Sequence, residues 1–103
     1  MIGFGIVVTT LDDRQKAKEI ARTLVERGLA ACVQISAIDS IYRWKGAVEE
    51  TQEVRLDIKM RASDYATLEA AIRELHPYET PEIIRLDIAE GYAPYLAWVG
   101  ADG

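Results

Sequence analysis

Cysteine and histidine occur once each, as Cys32 and His76. A lone cysteine excludes an intrachain disulfide, and its neighbours Ala31 and Val33 favour a small buried hydrophobe over a nucleophile. One imidazole is not a metal site, because transition metals usually take three or four ligands. No Pro/Ser-rich or single-residue run interrupts the chain, which argues against linkers, repeats and disordered tails. No apolar stretch nears the ~18 residues of a membrane span, and the N-terminus lacks a basic region followed by an apolar one. The expectation is a soluble cytoplasmic protein without a membrane partner. Basic residues are also in deficit: 12 Lys and Arg face 17 Asp and Glu, a net charge of −5. That balance speaks against binding nucleic acid and suits a cationic or neutral partner. Gly3-Phe4-Gly5 has Val8 where a dinucleotide loop needs its third glycine, and no nucleotide P-loop pattern is present. The 103 residues are expected to form one domain, 1–103.

The most informative stretch runs from Ile38 to Met60. Ile38, Ser40, Tyr42 and Trp44 share one parity; Val54, Leu56, Ile58 and Met60 share another, with Arg55, Asp57, Lys59 and Arg61 between them. Period two predicts two strands with one packed and one wet face, joined at Lys45-Gly46. An arm beginning near Ala30 would have about sixteen residues and run ~50 Å, far beyond a usual strand. Its far end carries Ile41, Tyr42 and Trp44, apolar surface beside open strand edges, which predicts that another copy of the chain covers it. The apolar parity of Val33 and Ile35 changes by Ile38, which predicts a bulge near Ala37 to Asp39.

Around this hairpin the pattern is regular. Ile2, Phe4, Ile6 and Val8 alternate with smaller residues as a central first strand. Thr10 is placed as a helix cap reciprocating with Asp13, followed by the stripe Ala17, Ile20, Ala21, Leu24 and Val25 and a stop at Gly28. Ser63 or Asp64 should cap a second helix with Tyr65, Leu68, Ile72 and Leu75 buried. His76 ends it, since a residue before proline is pushed out of the helical region. Pro81 to Ile88 reads as a fourth strand, and Pro94 starts a short closing helix with Tyr95, Trp98 and Val99 on its apolar side. The order predicts an α+β, ferredoxin-like (split βαβ) fold: an antiparallel sheet, two helices on one face, a long central hairpin and a short C-terminal helix. The second sheet face would lie bare, a further reason to expect self-association. RNA-recognition modules share this element order, but they stack bases on aromatics, and the first strand offers only Phe4.

His76-Pro77-Tyr78-Glu79-Thr80-Pro81-Glu82 concentrates the chemistry. Two prolines stiffen a loop that holds the only histidine, a phenol and two carboxylates. His76 can be read as a ligand contact or as a polar cap on the last helical carbonyls. Taken with Leu29-Ala30-Ala31-Cys32-Val33, Ser40-Ile41-Tyr42-Arg43-Trp44-Lys45-Gly46 and Tyr95-Leu96-Ala97-Trp98, this loop resembles the CutA family of divalent-cation tolerance proteins over essentially the whole chain. The resemblance implies a ferredoxin-like fold, a homotrimer whose hairpins pair between subunits, a cytoplasmic location, and a part in tolerance of copper and other divalent metal ions. Copper-binding members of the family carry a cysteine and two histidines at positions that correspond here to Thr9, Leu75 and His76. Only His76 is kept, so copper or another divalent cation should bind weakly and no cofactor tightly.

The leading expectation is a non-enzymatic trimer with a small-ligand cleft between subunits, drawing on Tyr42, Trp44, Lys59, His76, Tyr78, Glu79 and Trp98, with His76 as the metal contact. The two tryptophans are also large enough for plain packing, and Lys59 for plain solvation. A second reading is a signalling module binding a small anion or nucleotide between subunits, similar to trimeric nitrogen-regulatory proteins. The third is an enzyme using His76 as acid or base with Tyr78 as its partner.

Overall fold

The computed structural model describes residues 3–102, so Ile2 of the expected first strand lies outside the described residues. Four strands, β1 (Phe4–Leu11), β2 (Cys32–Trp44), β3 (Ala47–Arg61) and β4 (Ile84–Asp87), form one sheet in the order β2-β3-β1-β4. Every pairing is antiparallel. With α1 (Arg14–Glu26) and α2 (Tyr65–Leu75) at the crossovers, this is the ferredoxin-like arrangement, closed by α3 (Ala93–Asp102). None of the described helices is long and apolar enough to cross a membrane.

The core lies between the two crossover helices and one sheet face. Val7, Leu56, Ile58 and Met60 from the sheet meet Ala17, Ile20 and Leu24 of α1 and Leu68 and Ile72 of α2, all essentially inaccessible. Val25, expected in the α1 stripe, is 43% exposed at the rim. Asp13, not Thr10, caps α1, its carboxylate accepting from the Lys16 amide at 3.0 Å. The reason is pairing: β1 continues past Thr10, which sits opposite Arg55, to Leu11 opposite Val54. At the other end Gly28 adopts φ 73°, Leu29 donates to the Leu24 carbonyl and Gly28 to that of Val25, a pair of bonds that ends the helix. A short 3₁₀ turn (Ala62–Asp64) precedes α2, and the Asp64 carboxylate pairs with Arg61 at 2.9 Å instead of capping through its side chain.

The hairpin is long, as its alternation required, but it is straight in register. Pairing runs unbroken from Cys32 opposite Lys59 to Trp44 opposite Ala47, so no bulge interrupts Ala37 to Asp39. The shift of apolar parity has another cause. Val33 and Ile35 stand opposite Ile58 and Leu56 on the helix-covered face, whereas Ile38 stands opposite Glu53 on the other face, beyond the reach of the helices. Lys45 (φ 52°) and Gly46 (φ 84°) both occupy the left-handed region, the two-residue turn whose twist suits a hairpin.

β1 covers β3 only from Arg61 to Val54, leaving residues 38–53 as a two-stranded projection, and with it the molecule measures 44 Å along its longest axis and about half that across. β4 is shorter than the expected Pro81–Ile88 and lies at an edge, with Ile84 and Leu86 nearly half exposed. The second sheet face is not wholly bare: α3 lies over its Phe4 end. Val99 is fully buried, Gly100 rests on the Phe4 ring, and the Gly100 carbonyl accepts from Arg61 Nη1 at 3.2 Å.

Candidate functional site

Where α2 stops, the chain turns back across the end of β1. Pro77 denies His76 a helical conformation, and the observed ψ of 136° aims the ring at the end of β1. His76 is 7% exposed. Its Nδ1 accepts from the Tyr78 amide at 3.0 Å. The proton therefore sits on Nε2, which donates to the Thr10 carbonyl at 2.9 Å. Burial lowers its pKa below the ordinary value of 6.5, opposed by the Thr10 carbonyl and the charges of Glu53 and Asp12. The ring is thus neutral, fully bonded and structural in geometry: it ties the loop to β1.

Tyr78 is the side chain this tie positions. Its ring meets the His76 ring edge-on at 4.8 Å between centroids, and its hydroxyl donates to Glu53 Oε2 at 2.7 Å. Burial first, then the Glu53 carboxylate, raise the phenol's pKa well above its ordinary value, so it stays a proton donor. Glu53 is the β3 residue just past the last β1 pair, on the face that also carries Tyr42 and Trp44.

Between the hairpin projection and the 76–82 loop opens a cleft of about 590 Å³. Tyr42, Trp44 and Glu53 line it from the hairpin, and Tyr78, Glu79 and Glu82 from the loop and the segment after it. The lining contains three glutamates and no Lys or Arg. None of those glutamates forms an ion pair among the described residues.

The structure brings four of the seven expected residues to this cleft: Tyr42, Trp44, Tyr78 and Glu79. His76 stands behind the wall, with Tyr78 between. Lys59 lies six residues along β3 from Glu53, about 20 Å at strand rise, and its ammonium donates to Gln34 Oε1. Trp98 is on α3, beside Tyr95 at 5.8 Å between ring centroids. Glu53 escaped the reading from sequence because its parity groups it with Arg55, Asp57 and Lys59, a pattern that resembles any solvated strand face.

The residues present do not fit a transition-metal centre within one chain. Both His76 nitrogens are engaged, Thr9 is fully buried with a hydroxyl that has no hydrogen-bond partner among the described residues, and Leu75 packs against the core. Among the described residues no three His, Cys, Asp or Glu side chains gather as a ligand set.

Comparison with known proteins places these features in a family. The CutA1 divalent ion tolerance protein family matches residues 5–102. A CutA homolog of Xenopus laevis is 56% identical over 85 residues, 82% of this chain. The chain spans only 56% of that protein's length. The divalent-cation tolerance protein CutA of Thermus thermophilus is 44% identical over 95 residues, covering 91% of this chain and 92% of the relative. A solved structure from Archaeoglobus fulgidus, described as a periplasmic divalent cation tolerance protein CutA, superimposes with a TM-score of 0.92 at 31% identity. It covers 94% of this chain and 95% of that one.

Proposed function

Because this chain belongs to the CutA1 divalent ion tolerance family, we propose that it is a non-enzymatic cytoplasmic binding protein, a single domain that assembles as a homotrimer. In this reading it contributes to tolerance of copper and other divalent cations, and it receives a small ligand in the cleft beside its hairpin. The hairpin's geometry carries the assembly. β2 is an edge strand along its whole length, and β3 lacks a second neighbour over residues 47–53. The same projection exposes Ile41 (69%) and Val48 (71%). Open edges beside apolar side chains are stabilised by pairing with another chain.

The bonded His76 supports a binding role over acid–base catalysis, since a ring with both nitrogens on backbone partners has no site left for a substrate proton. It also supports weak rather than tight metal association, through carboxylate or water oxygens, which are poor ligands for Cu(II). His76 ligates a metal in this reading only where the ring gives up a backbone partner.

Two measurements test the proposal. Sedimentation equilibrium at micromolar concentration should give the mass of three chains; a monomer would refute the assembly. Calorimetric titration with Cu(II) at pH 7.5 should show weak binding. Tight, stoichiometric binding that disappears in His76→Gln would restore His76 as the metal ligand.

A further inference from the structure

We draw no further inference here: the strongest candidate, the apolar surface that Ile84 and Leu86 of β4 and Tyr95 and Trp98 of α3 leave partly exposed, carries nothing because nothing in the structure shows what covers it.

Discussion

The two ends of β3 are the same strand in two different solvents. From Val54 to Met60 its alternate residues are packed under helices, and Leu56, Ile58 and Met60 have no accessible surface. From Ala47 to Glu53 the alternation survives in the backbone but the covering layer is gone, and Val48 is 71% exposed. An apolar residue at the packed end therefore stabilises the fold of a single chain. At the projecting end it can only stabilise contact with something outside that chain. One strand serves both purposes because pairing with β2 continues without a break between them.

The sharpest way to break this contrast is to truncate one residue at each end. Ile58→Ala should cost about 3–4 kcal/mol in urea unfolding, from lost burial plus the cavity left behind. Val48→Ala, measured under dilute conditions where the chain is dissociated, should cost below ~0.5 kcal/mol, yet lower the sedimentation mass at micromolar concentration. Similar losses for the two variants in the dissociated chain would mean that the projection is covered from within.

Next in size is His76, at the junction between the two regions. His76→Ala leaves the Thr10 carbonyl and the Tyr78 amide without their partner, for a loss of about 2–3 kcal/mol at pH 7.5. Since burial lowers the imidazole's pKa, the unfolded chain binds the proton more readily than the folded one. The histidine's contribution is therefore complete above the unfolded value of about 6.5 and falls away as pH drops below it, down through the folded pKa. Urea unfolding between pH 7.5 and 5 should show that slope in the parent protein and a flatter one in His76→Ala. An unchanged slope would mean that other groups set the acid sensitivity.

Tyr78→Phe removes only the bond to Glu53 and should cost about 1.5 kcal/mol, the lower end for a hydrogen bond to a charged group, because the site is partly exposed. Full stability in the Tyr78→Phe variant would place the cleft wall's rigidity in His76 alone.

The smallest change has the opposite sign. Thr9→Val replaces a buried hydroxyl that has no hydrogen-bond partner among the described residues by a methyl group of similar shape, and should raise stability by about 1 kcal/mol. Destabilisation on thermal or urea unfolding would show that the hydroxyl has a partner in solution.

Much of this organisation is legible in the chain itself. Period two from Ile38 to Met60, the α1 stripe from Ala17 to Leu24, the stop at Gly28 and the break before Pro77 depend on neighbours within a few residues, and each is found in the structure. That Tyr42, Trp44, Tyr78 and Glu79 belong together was legible for a related reason: aromatics on an overlong hairpin and residues of a proline-stiffened loop stand out from the periodic pattern around them, and the structure gathers these four at one cleft.

What stayed hidden was decided by distant segments. Whether Ile38 means a bulge or a change of covered face depends on where α1 and α2 stop overhead, and whether Thr10 caps a helix or extends a strand depends on Arg55 across the sheet. The sequence presents Glu53 as one more charge on a wet strand and leaves His76 between a ligand contact and a polar cap on the helix end. Only the fold sets Tyr78 against the first and the Thr10 carbonyl against the second. Local periodicity is encoded by adjacent residues, but the partner of a side chain is set by the whole path of the chain, and it is partners that determine which polar atoms remain free for chemistry.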